Sequence, residues 1–193
     1  MNTLERPLKR YLVCFLMFVL FGTRVLAVDS DLPQMGIDAS GNIIAVWQTY
    51  DTNGNYYVQT ASHPLGGSWS APVTLSPSGQ YATNPVIAVD GLGNAVAIWG
   101  AVDPTTGNTL LYGAMLTVGN SLITATWTSA VQIAASSNNV LNGYSVNIND
   151  GLVAKNVVAM WSAYDSVGMN RGVYASTALL GGSWSTPVRV SGS

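Results

Sequence analysis

An all-β chain made of three copies of one four-stranded antiparallel unit is what the sequence predicts, and three observations predict it. All six tryptophans fall on two recurring positions. Trp47, Trp99 and Trp161 each end a matching run: Asn42-Ile-Ile-Ala-Val-Trp47, Asn94-Ala-Val-Ala-Ile-Trp99 and Asn156-Val-Val-Ala-Met-Trp161. Trp69, Trp127 and Trp184 each open another, such as Trp69-Ser-Ala-Pro-Val and Trp184-Ser-Thr-Pro-Val. Aspartate turns keep the same beat: Asp38 and Asp90 begin Asp-x-x-Gly-Asn, and Asp150 begins a version two residues longer. Four residues after each first Trp stands another aspartate, Asp51, Asp103 or Asp165, entering a Gly/Asn turn. Asp and Asn suit turns because their short side chains bond nearby backbone N–H groups and tolerate left-handed conformations.

The elements follow in order. The first strand of each unit is short, around Met35–Ile37, Pro85–Val89 and Ser145–Ile148. The second is the run into the first Trp. The third covers Tyr56–Ser62, Thr109–Leu116 and Gly172–Thr177, and the fourth starts at the second Trp. β-Branched and aromatic residues fill these runs, with Gly, Asn, Asp, Pro and Ser between them. The second strand is apolar on both alternating faces, so it needs cover on both sides, as stacked sheets provide. Pro72 and Pro187 lack an N–H donor and suit an edge strand. First Trp to first Trp spans 52 and then 62 residues. Four short strands at that period are the signature of β-propeller blades. The expected fold is therefore three four-stranded antiparallel blades of a partial, open β-propeller. Blade 1 falls at about residues 33–76, blade 2 at about 84–134 and blade 3 at about 144–191.

Composition narrows the function. The 193 residues are 48% hydrophobic and 8% charged, with a formal net charge of −2, which argues against a disordered chain. Nothing would neutralise a run of phosphates, so no nucleic-acid partner is expected. One Cys and one His exclude a four-ligand Cys/His zinc site.

Residues 1–27 read as a secretory signal. Arg6, Lys9 and Arg10 precede an uncharged, mostly apolar run from Tyr11 to Gly22, and Val25-Leu26-Ala27 ends on a small residue. That run is shorter than the ~20 residues a membrane span needs, so no stable span is expected in the mature chain. Cys14 lies inside the run, where a lipid-attachment cysteine would follow it. The expectation is an exported chain whose mature part is residues 28–193. That part keeps Lys155, Arg171 and Arg189 against eight Asp and no Glu, net −5 over 166 residues, and has no cysteine for a disulfide.

The units resemble the repeats of sialidase-like β-propellers, which carry an Asp-box (Ser/Thr-x-Asp-x-Gly-x-x-Trp) between third and fourth strands. Here Gly66-Gly-Ser-Trp-Ser70 and Gly181-Gly-Ser-Trp-Ser185 stand there without the box aspartate, and Asp-x-x-Gly-Asn instead precedes the second strand. For sialidases the resemblance implies three arginines gripping a carboxylate, a tyrosine nucleophile and a paired glutamate. Two arginines and no glutamate in the mature chain cannot assemble that site. Generic glycoside hydrolysis needs two carboxylates ~5–10 Å apart, and most of the aspartates read as turn residues.

The remaining candidates are binding sites. Propeller lectins place aromatic rings between blades, where sugars stack. By that resemblance Trp69, Trp184, Tyr57 and Tyr174 are candidate glycan contacts, while Trp47, Trp99, Trp127 and Trp161 read as blade packing. Asp51, Asn53 and Asn55 alternate oxygen ligands as calcium loops do, although no carboxylate follows to complete the shell. A hydrogen-bonded turn competes with that ion site. His63 lacks a Gly-x-Ser-x-Gly elbow to serve. Asp90-Gly-Leu-Gly-Asn94 leads into a strand rather than a helix, which removes a dinucleotide loop. Closed propellers have about four to eight blades. Three units leave apolar end faces, so either chain copies associate through open blade faces, as two three-blade halves would, or the sequence is a piece of a longer propeller. The sequence reading is thus an exported, non-catalytic β-propeller-repeat protein with a binding or structural role. A lectin assembled from chain copies is the alternative, and a hydrolase fragment stands third.

Overall fold

The computed structural model describes residues 29–119, 121–122, 125–134, 139–151, 154–165 and 170–192. The expected signal, residues 1–27 with Cys14, lies outside them. Among the described residues twelve strands form three sheets, each antiparallel and each in simple sequence order. Blade 1 holds β1 (Ser30–Ile37), β2 (Ile43–Tyr50), β3 (Tyr56–His63) and β4 (Val73–Thr74). Blade 2 holds β5 (Tyr81–Val89), β6 (Ala95–Val102), β7 (Thr109–Leu116) and β8 (Val131–Gln132). Blade 3 holds β9 (Asn139–Ile148), β10 (Asn156–Tyr164), β11 (Arg171–Leu179) and β12 (Val188–Arg189). The fold is a partial β-propeller, as the tryptophan period predicts. Among the described residues no helix is long and apolar enough to cross a membrane.

Three local expectations need correction. The first strands run eight to ten residues, longer than expected, because each is bulged: the register slips between Asp31 and Gln34, between Thr83 and Val86, and opposite the Trp161–Ala163 step. Leu32 (φ 50°) and Asn84 (φ 55°) occupy equivalent positions in the first two bulges. A bulge breaks the alternation that sequence reading relies on.

The fourth strand does not start at the second Trp but shrinks to two residues. Proline is not the whole reason, since blade 2 carries Ala130 there and is equally short. Hydroxyls replace much of the ladder instead. The N–H groups of Ser62, Met115 and Thr177 donate to the hydroxyls of Ser70, Thr128 and Ser185 at 3.1, 3.0 and 3.1 Å. Each of those residues directly follows a second Trp and returns its own N–H to the third strand.

The third correction concerns Asp150. Asp38 Oδ1 accepts the N–H groups of Ser40 and Asn42 at 2.8 and 2.9 Å, and Asp90 Oδ1 those of Leu92 and Asn94, both at 2.9 Å. In blade 3 this role falls to Asn149, whose Oδ1 accepts Asn156 N–H at 2.8 Å. Asp150 reaches across instead and accepts Gly91 N–H from blade 2 at 2.8 Å. The Asn that closes each of the first two turns also has a task. Asn42 Oδ1 accepts Leu65 N–H and Asn94 Oδ1 accepts Val118 N–H, at 2.9 and 2.8 Å, tying the loop after the third strand to the turn.

The core lies between blades. Trp99, Ala97 and Ala101 of blade 2 pack on Val46, Val58 and Leu75 of blade 1. Trp161, Ala159 and Val157 of blade 3 pack on Val96, Ile98 and Leu111 of blade 2. The first Trp of blades 2 and 3 therefore plugs into the preceding blade. Trp99 and Trp161 are fully buried, and their indole N–H groups have no hydrogen-bond partner among the described residues. Burial of so large an apolar surface outweighs that unmade bond, a cost of about 1–3 kcal/mol.

Candidate functional site

In blades 2 and 3 the second Trp also turns toward the preceding blade, and there it builds a cleft. Trp184 packs on the blade 2–blade 3 core and lines a cleft of about 450 Å³. Met115, Val131 and Gly113 of blade 2 form the apolar wall, while Thr128, Ser129 and Gln132 supply polar groups. Gly181 and Gly182, which begin the Gly-Gly-Ser-Trp loop, form the far rim, and Gly181 N–H points at Met115 Sδ, 3.1 Å away. Gly181 adopts φ +76°, a left-handed conformation that suits glycine and lets the loop turn Trp184 back onto blade 2.

The blade 1–blade 2 junction repeats the arrangement. Trp127 lines two smaller clefts there, of about 130 and 320 Å³. Thr60, Ser62 and Val73 of blade 1 stand where Gly113, Met115 and Val131 stand in blade 2, by the register of each sheet. Among the described residues that line these three clefts none is charged and none is histidine. Such a wall, one indole with aliphatic groups and a few hydroxyls and amides, suits a neutral ligand with apolar faces and hydroxyl rims.

The structure separates the four aromatic candidates. Trp184 lines the larger cleft. Tyr174 sits inside the same junction, stacked on Trp161 with ring centroids 6.3 Å apart and 18° between planes. It serves the core rather than the cleft. Trp69 and Tyr57 lie on the face of blade 1 that no other described blade covers. Trp69 is 52% exposed and its ring lies 5.2 Å from that of His63. Tyr57 is opposite Thr49, at the other end of β3 from His63. Trp69 and Tyr57 therefore do not form one site.

The carboxylates hold turns. Asp51 Oδ1 accepts the N–H groups of Asn53 and Asn55 at 2.8 and 3.0 Å, and Asn55 Nδ2 donates to Oδ2 at 3.1 Å. The Asn55 side chain, with the backbone groups, keeps this carboxyl below its ordinary value. The Asn55 side-chain amide thus donates to the Asp51 carboxylate within the turn. Asp103 accepts Thr105 N–H and the Thr106 hydroxyl at 2.9 and 2.7 Å, and these bonds lower its pKa. Asp165 N–H closes its turn on the Asn170 carbonyl at 2.9 Å. Among the described residues no three His, Cys, Asp or Glu side chains come together.

Two groups escaped the sequence reading. Lys155 of blade 3 reaches the buried Asp90 of blade 2, Nζ to Oδ2 at 2.8 Å. Burial works against the Asp90 charge, but bonds from Asn94, Lys155 and the backbone outweigh it and hold the carboxyl below its usual range. Tyr144 spans the same junction. Its hydroxyl accepts Gly100 N–H at 2.9 Å and donates to the Asn84 carbonyl at 2.5 Å. Burial pushes its pKa up to about 12. Lys155, beside Asn156, carried the only sequence signal for the first, as one of three basic residues after position 27.

No family model and no curated protein matches the sequence. Solved structures do. A Hadza microbial sialidase, Hz136, superposes with a TM-score of 0.52 at 12% identity, over 77% of this chain and 35% of the sialidase. An α-L-arabinanase of Penicillium chrysogenum, solved with arabinobiose, gives a TM-score of 0.49 at 13% identity, over 85% of this chain and 50% of the arabinanase. The chain thus spans about a third of one and half of the other. At these identities the likeness is one of fold: the three sheets are arranged as blades of a β-propeller, similar to those of glycoside hydrolases.

Proposed function

We propose that this chain is an exported, non-catalytic β-propeller module that binds neutral carbohydrate at its blade junctions. The observation that carries the reading is the cleft at Trp184: an indole and aliphatic wall of about 450 Å³, rimmed by Thr128, Ser129, Gln132 and Ser183, without a charged group. Its volume lies within the range of about 300–1,000 Å³ typical of small-ligand sites. An indole face gives a sugar ring an apolar platform, and hydroxyl and amide neighbours orient its hydroxyl groups. Recurrence at Trp127 supports the same reading, because two weak sites on one chain raise avidity for a repeating polymer.

A non-catalytic role fits the placement of the aspartates. Asp38, Asp51, Asp90 and Asp103 spend their lone pairs on turn N–H, hydroxyl or amide donors, and Asp150 spends one on Gly91. Hydrolysis needs an acid and a base free to face one bond. Export rests on the charge and apolar pattern of residues 1–27.

A glycan array carrying neutral oligosaccharides tests the proposal. Binding by the folded chain is expected, with quenching or a blue shift of tryptophan emission. Trp184→Ala should weaken it about tenfold, equivalent to about 1.4 kcal/mol. An array without hits overturns the carbohydrate reading, and glycoside cleavage by the purified chain overturns the non-catalytic one.

A further inference from the structure

The two internal junctions act as templates for the two faces that remain open. At each, the first residue of a blade's third strand meets the first residue of the next blade's innermost strand. Tyr56 lies against Tyr81, with ring centroids 4.6 Å apart. Thr109 N–H donates to Asn139 Oδ1 at 2.9 Å. In blade 3 the position equivalent to Tyr56 and Thr109 is Arg171, opposite Tyr164 in the sheet. In blade 1 the position equivalent to Tyr81 and Asn139 is Asp29, whose carbonyl accepts Tyr50 N–H and whose carboxylate accepts the Tyr50 hydroxyl. Both residues are exposed. A neutral contact at each internal junction thus corresponds to opposite charges at the two ends of the array.

The apolar parts of the two end faces correspond as well. Blade 1 presents Trp47, Ala45 and Ile43 where blade 2 presents Trp99, Ala97 and Ala95, and Met35 and Ile37 beside them are 66% and 57% exposed. Blade 3 presents Val158 and Met160 where blade 2 offers Val96 and Ile98 to Trp161. Its neighbours there are more polar: Ser145, Asn147 and Thr177 replace Val86, Ala88 and Met115. That mixture suits a face that meets water before it meets a partner. Three strands of eight to ten residues and a two-residue fourth cover roughly 400–500 Å² a face. Two junctions with four faces would bury about 1,800 Å², above the ~1,000 Å² that a specific interface needs.

We infer that the open face of blade 3 receives the open face of blade 1 of a second copy, head to tail, with Arg171 of one copy paired to Asp29 of the other. Two copies close a six-blade ring, within the range of about four to eight blades that propellers adopt, whereas three would give nine. The contact also covers Trp69 and completes a third cleft of the kind lined by Trp127 and Trp184. The inference stands apart from carbohydrate binding, since the two internal clefts exist in a single copy.

Sedimentation across a concentration series tests it, with the chain expressed with residues 1–27 in place so that any processing is the host's. The wild-type chain should reach twice its own mass and no more. Arg171→Asp and Asp29→Arg should each weaken association about tenfold or more, because each sets like charges face to face at both junctions. Mixing the two variants should restore the two-copy species, because both junctions then hold opposite charges. Should a swapped variant fail to fold, Arg171→Gln and Asp29→Asn carry the same test, each expected to weaken association. A single-copy species up to the solubility limit overturns the proposal. So does association that ignores the substitutions, or a mixture of the swapped variants that stays apart.

Discussion

Blade 2 and blade 1 share one strand order and one set of turns, yet their second strands live in different surroundings. In blade 2, β6 is buried along its whole length except Val102, because blade 1 covers one face and blade 3 the other. In blade 1, only the face bearing Ile44, Val46 and Gln48 is fully covered, and Trp47 is half-buried. Side chains on the third strand follow suit. Where blade 2 sets Leu116 and Tyr112 beside the Trp face, blade 1 sets His63 and Gln59. The Trp marks the repeat; its neighbours report whether a blade stands in front of it.

Replacing the Trp tests this difference most strongly. Trp99→Ala should cost about 3–5 kcal/mol of unfolding free energy, the usual range for truncating a buried aromatic. Trp47→Ala, measured on dilute protein, should cost about 1–2 kcal/mol, since part of its surface is wet already. Equal losses in urea titrations would mean that the two faces are covered alike.

The ion pair between blades 2 and 3 comes next. Asp90→Asn should cost about 2–4 kcal/mol, because it leaves Lys155 without its counter-charge and turns an amide donor toward Asn94. The pH dependence has a definite sign. A carboxyl whose folded pKa lies below its unfolded value of about 3.9 contributes stability above that value and loses it as pH falls through the folded pKa. Acid titration of the melting temperature should therefore be shallower in Asp90→Asn below about pH 4. An unchanged slope would place the acid-sensitive group elsewhere.

Tyr144→Phe removes a hydroxyl that bridges Gly100 and Asn84, and should cost about 1–3 kcal/mol. Amide hydrogen exchange at Gly100 should rise with it; unchanged exchange would show that another group covers that N–H. Two glycines differ by the least. Gly54 (φ +80°) has open space where a Cβ would stand, so Gly54→Ala should cost only the left-handed penalty of about 1 kcal/mol. Gly93 (φ +86°) would set a Cβ 2.9 Å from Asp38 Oδ2 of blade 1, so Gly93→Ala should cost more, about 2 kcal/mol. Equal melting shifts would mean that the blade 1 turn yields freely.

By itself the sequence determined the strand count, the blade period and the two hairpin turns, because these depend on neighbours within a few residues. A carboxylate capping N–H groups two and four residues on, as Asp51 and Asp90 do, leaves its mark in the local spacing. It also marked Trp184 and Trp69 as different from the fully buried indoles, through their Gly-Gly-Ser loops. Only the tertiary structure decided which blade each side chain meets. Lys155 finds Asp90 from 65 residues away, Asp150 leaves its own turn to Asn149, and Tyr144 bonds the backbone of the preceding blade. Those choices follow from the stacking of sheets, which brings together side chains far apart in the chain, and no local spacing records such a contact.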